Sequence, residues 1–251
     1  MTEPTNQTMH LAIESTGKLG SLAVMRGSDP VHFVNLSPTL RTAATLAPEV
    51  ERALAWCRER DEEPEFVCVA DGPGSFTGLR IGVTTAKSLS YGLGLPLVAV
   101  DSLAAIAAAA RENLVERNAI AVALDAYRSQ VYTARFRLDE LIPPLDAIPE
   151  DWSAHPQGVA VQPHLQWESE LRGLPRDTAI AGDAKPLGDR ADQAVARRCD
   201  AIGVGMLGIR AAIAGDWTDP MLLVPRYLKP SAAEEKAAEK RATTPANDDR
   251  H

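Results

Sequence analysis

The densest chemistry in the chain is the run GPGSFTGLRIG over residues 72–82, placed after an apolar stretch and before a helical pattern. Backbone N–H groups in such a loop, and at the start of the adjoining helix, carry partial positive charge and can hold phosphate. Spacing decides which phosphate site is possible. A P-loop needs GxxxxGK[ST], but Gly78 is succeeded by Leu79 and Arg80, so the phosphate lysine and the magnesium hydroxyl are missing. A dinucleotide loop needs GxGxxG, and the glycines at 72, 74 and 78 are one residue too far apart. Ser75 lacks the glycine two positions on that a nucleophile elbow requires. The mechanical reading is that Gly72 and Gly74 supply positive φ to a turn stiffened by Pro73 and that Ser75 or Thr77 caps the helix. Gly78 and Gly82 then let that helix approach its neighbour closely.

Asp71, Asp125 and Asp183 each come after a short apolar run, where carboxylates can bind magnesium or a ribose; Asp also ends strands and opens turns for local reasons. Glu14, Gly72, Gly74, Asp125, Gly182 and Asp183 are the candidate nucleotide or phosphate residues, around a cleft between two lobes. The histidines at 10, 32, 155, 164 and 251 contain no pair at helical metal-ligand spacing, and HExxH is absent, so no metal site and no cofactor are expected. Cys57, Cys68 and Cys199 have unrelated spacings and read as reduced thiols. With 26 Lys and Arg against 34 Asp and Glu, the formal charge is −8, which disfavours a free-standing nucleic-acid binder. No apolar stretch has signal-peptide or membrane-spanning character, so the expected location is cytoplasmic.

Positioning these groups requires an α/β chain. Apolar runs at 10–14, 22–25 and 31–34, split by Gly17, Gly20, Gly27 and Pro30, read as a strand meander. Next comes a helix with apolar residues at three-to-four spacing from Ala43 to Cys57, ended by Pro64. Residues 66–70 form a buried strand, a second helix runs from 75 or 77 to about 94, a strand spans 97–100, and Asp101 or Ser102 caps a helix to about 113. That order implies mixed sheets flanked by helices. A second set begins with a hairpin, 120–124 and 130–136, and continues with a short helix near 165–171, a strand at 179–183 and helices near 189–199 and 201–215. Residues 231–251 hold five acidic and four basic side chains and no large apolar one, so a disordered tail is expected.

The helix after the glycine loop has two apolar stripes, one through Leu79, Val83, Ala86, Ser90 and Leu93, the other through Ile81, Thr85, Leu89 and Gly92. Only one can pack on a sheet, leaving the other for a partner.

The run GPGSFTGLRIGVTTAKSLSYGLGLPLVAVDSL at 72–103 resembles the TsaB family of glycoprotease-like proteins. LAIESTGKLGSLAVMRG near the start, LDAYRSQVYTARF at 124–136, and AIAGDA with VPRYLKP later resemble that family's other segments in order. The resemblance implies two ribonuclease-H-like lobes of actin- and Hsp70-like architecture. An N-terminal lobe would span 9–104, completed by a helical segment at 201–230, with a smaller lobe at 105–200. It further implies a non-catalytic subunit that pairs with TsaD, alongside TsaE, for threonylcarbamoyl transfer to adenosine 37 of tRNA, and that forms a homodimer when alone. Contact with tRNA would be indirect, through the complex. The partner interface would lie on the helices at about 40–60 and 77–93, with Leu46, Val50, Leu54, Leu79, Arg80, Val83 and Ala86 as candidate contacts. The other reading is an ATP-binding or ATP-hydrolysing enzyme of the interlobe cleft. Two departures from the family pattern weaken a nucleotide site: Glu14 where an Asp is usual, and Thr42-Ala43 after Arg41 where a His-Ser pair is usual.

Overall fold

The structure is a computed structural model that describes residues 3–17, 19–37, 42–111, 114, 117–196 and 198–229. Strands β1 (Met9–Glu14), β2 (Ser21–Arg26) and β3 (Asp29–Asn35) form the antiparallel meander, and α1 (Thr42–Arg58) leads to β4 (Phe66–Gly72), α2 (Phe76–Leu93) and β5 (Leu97–Asp101). The strand order is β3-β2-β1-β4-β5, with β1, β4 and β5 parallel. Alternation along the strands assigns the two faces. Leu11, Ile13, Val67 and Val69 meet Leu46, Val50 and Val83 of α1 and α2. Ala12, Ala23, Cys68 and Ala70 face the other way, onto α3 (Ser102–Ala110) and α7 (Ala201–Ala214). The small strand residues match glycines of α7: a Cβ on Gly208 would lie 2.6 Å from Cys68 Sγ, so helix and sheet meet almost backbone to backbone.

The second sheet joins β6 (Ala119–Asp125), β7 (Gln130–Arg137), β8 (Ala160–Pro163) and β9 (Ala179–Gly182) in the order β8-β7-β6-β9, antiparallel except for the β6–β9 pair. It repeats the first sheet without an equivalent of β5. Its elements also include α4 (Leu138–Leu141), α5 (His164–Gly173), α6 (Ala184–Leu187) and a 3-10 helix at Gly188–Gln193. Trp167, fully buried, anchors α5 against Ala121, Ala123 and Ile180. The opposite face, through Val122, Ala134 and Ala181, shares one core with α3 and α7, which therefore lie between the two sheets.

Several expectations change. The first helix ends at Arg58, before Pro64, because Asp61 turns left-handed (φ 54°) and Glu62 N–H bonds back to the Cys57 carbonyl. The helix expected near 189–199 is a 3-10 turn that stops at Gln193, since Val195 N–H bonds to the Ile180 carbonyl and Gly182 N–H to that of Ala196, fixing this stretch extended beside β9. Residues 138–178 contain α4 and β8 in addition to the expected helix. The expected disordered tail, 231–251, lies outside the described residues, as does Arg41.

Candidate functional site

The glycines of the 72–82 loop serve packing. Gly72 has φ 134°, and a Cβ there would lie 2.5 Å from the Arg226 carbonyl oxygen. Gly74 does not have positive φ; it is needed because a Cβ would come within 2.6 Å of Thr16. Ser75 caps α2, its Oγ accepting from Gly78 N–H, while its own N–H donates to the Thr16 carbonyl. A Cβ on Gly78 would sit 1.9 Å from the Ser15 carbonyl oxygen and one on Gly82 2.2 Å from Ser15 Oγ. The loop is thus spent on holding the start of α2 against the β1–β2 turn.

The candidate carboxylates are spent internally as well. Glu14 is fully buried; its Oε1 accepts from Thr16 N–H, Thr16 Oγ and Gly17 N–H, and among the described residues Oε2 has no partner. Burial, partly offset by those hydrogen bonds, pushes its pKa up to about 7. Asp125 receives Lys185 Nζ at 3.0 and 3.1 Å, and Asp183 Oδ2 accepts from Asp125 N–H. Gly182, φ 120°, passes so close to Ala123 that a Cβ would lie 1.9 Å from its carbonyl oxygen. Among the described residues, no group of three or more His, Cys, Asp or Glu could hold a metal ion, and no helix is long and apolar enough to cross a membrane.

Sequence reasoning missed a second polar cluster. His155 Nε2 lies 3.0 Å from both oxygens of Asp71 at the end of β4, and Arg226 pairs with the buried Asp101 at the end of β5. Arg226 also donates its N–H to the Asp71 carbonyl and its guanidinium to that of Gly72. Burial opposes protonation of His155, yet the hydrogen bond and charge of Asp71, with Asp216 beyond, outweigh it and hold the pKa above the ordinary value. This cluster fastens the loop before β8 and the segment after α7 to the first sheet.

The α1–α2 face is the other candidate. Leu79, Val83 and Ala86, expected at a partner interface, are buried against the sheet. The stripe through Ile81, Thr85 and Leu89 faces an open groove of about 830 Å³, whose α1 wall is Leu46, Val50 and Leu54. Leu46 and Val50 are themselves buried, so they form the groove floor. Arg80 lies at its edge, the guanidinium 4.1 Å above the Phe76 ring and Nε donating to Tyr227 Oη at 3.0 Å. The spacing of small residues, Gly78 and Gly82, was the signal that marks the sheet-facing side.

A family model described as TsaD, tRNA N6-adenosine threonylcarbamoyltransferase, matches residues 41–153. The chain is 37% identical over 110 residues to the tRNA threonylcarbamoyladenosine biosynthesis protein TsaB of Bacillus subtilis, covering 42% of this chain and 47% of that one. It is 34% identical over 132 residues to the Escherichia coli protein of the same name, covering 52% and 55%. The chain thus spans about half the length of the curated relatives it matches. YeaZ from Pseudomonas aeruginosa has a similar fold, with TM-score 0.64, 22% identity, and coverage of 88% of this chain and 100% of that one. A second Pseudomonas aeruginosa structure, described as an uncharacterized protein with similarity to peptidase YEAZ, gives TM-score 0.66 at 23% identity, covering 88% of this chain and 100% of that one. Sheet order and neighbours together define the class, a mixed α/β protein of two sheets flanked by helices with the fold of YeaZ. Within that class the chain is similar, over about half of its length, to proteins named TsaB.

Proposed function

We propose that this protein is a non-catalytic subunit in the formation of threonylcarbamoyladenosine on tRNA, acting in the cytoplasm as a scaffold that pairs with TsaD. The observation that carries the reading is the uncovered groove between α1 and α2, walled by Leu54, Ile81, Thr85 and Leu89 on a floor of Leu46 and Val50. Apolar grooves of this kind take a partner's helix ridge. Arg80 at the rim would meet a carboxylate of the partner, TsaE would join through the complex, and a second copy would cover the groove when TsaD is absent. The names of the matched relatives support the pathway. The internal use of Glu14, whose Oε1 is taken up by Thr16 and Gly17, supports a role other than chemistry.

The test is reconstituted tRNA modification with TsaD, TsaE and the adenylate-forming enzyme, with and without this protein. Wild type restores modification. Leu89→Arg places an unpaired charge in the groove, and modification and co-elution with TsaD are lost together while the variant stays folded. Equal modification without the protein would overturn the reading.

A further inference from the structure

Arg80, on the edge of the α1–α2 groove, is an exposed arginine that other parts of the chain hold still. Phe76 and Arg80 stand four residues apart on α2, and the guanidinium carbon lies 4.1 Å from the centre of the Phe76 ring. The Tyr227 ring stacks on Phe76 with centroids 4.5 Å apart, and its hydroxyl accepts from Arg80 Nε at 3.0 Å. One face and one edge of the guanidinium are thereby occupied. Among the described residues Nη1 and Nη2 have no partner, and these two nitrogens form the end-on fork that matches a carboxylate. Tyr227 can hold Arg80 because its own segment is tied down. Leu223 is buried in the core under α1 and α2, and its carbonyl accepts from Lys87 Nζ of α2 at 2.9 Å. Arg226 N–H donates to the Asp71 carbonyl at 2.7 Å, while its guanidinium bonds the Gly72 carbonyl at 3.1 Å and pairs with Asp101. Tyr227 is thus 40% exposed, yet its backbone is clamped to the ends of β4 and β5.

We infer that Tyr227 is a positioning residue for partner binding at this groove: it presets Arg80 so that Nη1 and Nη2 receive one Asp or Glu carboxylate of the partner. This role rests on the scaffold reading, and it adds the segment after α7 to the elements that select the partner. An exposed arginine ordinarily samples many rotamers, and ordering it on binding costs affinity. Here much of that order exists before the partner arrives. By taking Nε, the hydroxyl also closes the side-on approach through Nε and Nη2, so the end-on geometry is the one that remains. A lysine at this position would keep the charge and offer no fork.

The test is calorimetric titration of the full chain with purified TsaD, comparing wild type with Arg80→Ala, Arg80→Lys, Tyr227→Phe and the double variant Arg80→Ala with Tyr227→Phe. Thermal melts confirm that each variant is folded. Wild type binds. Arg80→Ala weakens binding by about tenfold or more, because the partner carboxylate is left without its cation. Arg80→Lys restores only part of that loss. Tyr227→Phe keeps the stacked ring and removes only the hydroxyl; it weakens binding by about fivefold, and by less at high salt. In the Arg80→Ala background the same change has no further effect, since no guanidinium is left to position. A purely structural role for Tyr227 would weaken binding by the same factor in both backgrounds. That result, an unchanged affinity in Tyr227→Phe, or full affinity in Arg80→Lys overturns the inference and leaves the scaffold reading standing. Wild type that fails to bind TsaD overturns both.

Discussion

After its parallel strand β4, the first sheet continues into the 18-residue α2 and a further parallel strand, β5; after β9, the second sheet continues into the four-residue α6 and a 3-10 turn. Both parallel strands end on a glycine with positive φ, Gly72 and Gly182, so the chain leaves each sheet in the same way. Beyond those glycines the lobes diverge. In the first lobe, Gly78 and Gly82 seat a long helix whose far side lines the open groove. In the second, Val195 and Ala196 hydrogen-bond along β9 on the edge that β5 occupies in the other sheet, and α5 closes the face with Trp167. Shared strand topology therefore does not determine which lobe carries an open apolar groove; the length of the helix after the parallel strand does.

The largest expected effect tests which side of α2 is core. Val83 is 3% exposed, and Val83→Arg buries an unpaired charge, costing about 4 kcal/mol or more, enough to unfold a marginal domain. Leu89→Arg, on the groove side, lowers the unfolding free energy read from urea titration by less than about 1 kcal/mol. Equal losses in the two variants would erase the distinction between the faces. Next comes Gly78→Ala. The added carbon meets the Ser15 carbonyl at 1.9 Å, where backbone must move, and about 3 kcal/mol is lost by the same measurement.

How far the sequence revealed this comparison depends on the kind of contact. Short apolar runs between glycines and prolines identified every strand except β8, whose four residues lie on a sheet edge and are partly exposed, leaving no apolar signal. The helix expected at 189–199 failed because backbone pairing with β9 overrides local periodicity there. Either apolar stripe of α2 could have faced the sheet on spacing alone; the glycines at 78 and 82 carried the answer, since only the face of closest approach requires them. Asp71 with His155, and Asp125 with Lys185, join residues 84 and 60 positions apart, and such pairs arise only once the lobes have folded.

The strand ends also separate the lobes by their response to pH. Glu14 has a folded pKa of about 7 against an ordinary 4.5, so between these values the folded protein keeps a proton that the unfolded chain has lost. Stability contributed by this group is full below 4.5 and falls by about 3 kcal/mol as pH rises to about 7. His155, also raised, adds a loss of the same sign as pH climbs above 6.5. His10 acts oppositely: burial lowers its pKa from 6.5 to about 4, so stability increases with pH between those values and masks part of the Glu14 effect. Glu14→Gln removes the first contribution alone. The stability difference between wild type and this variant should fall from pH 4.5 to about 7 and then level off, as read from urea midpoints. A difference that does not change with pH would mean that the Glu14 carboxyl titrates normally despite its burial.

The smallest expected effect lies at the equivalent strand end of the second lobe. Asp125 ends β6 as Glu14 ends β1, but its carboxylate is partly exposed and paired with Lys185, whose side chain is 59% exposed. Water screens such a pair, and holding a long lysine side chain costs entropy, so Lys185→Ala removes less than about 1 kcal/mol, and less still at high salt. Asp183 continues to accept from the Asp125 backbone N–H in that variant, so the strand end keeps its geometry. A loss several times larger, insensitive to salt, would mean that the lysine is a structural pillar of the second lobe comparable to Glu14 in the first. A loss within the expected range would confine the electrostatic cost of burial to the first lobe, the one that carries the open α1–α2 groove.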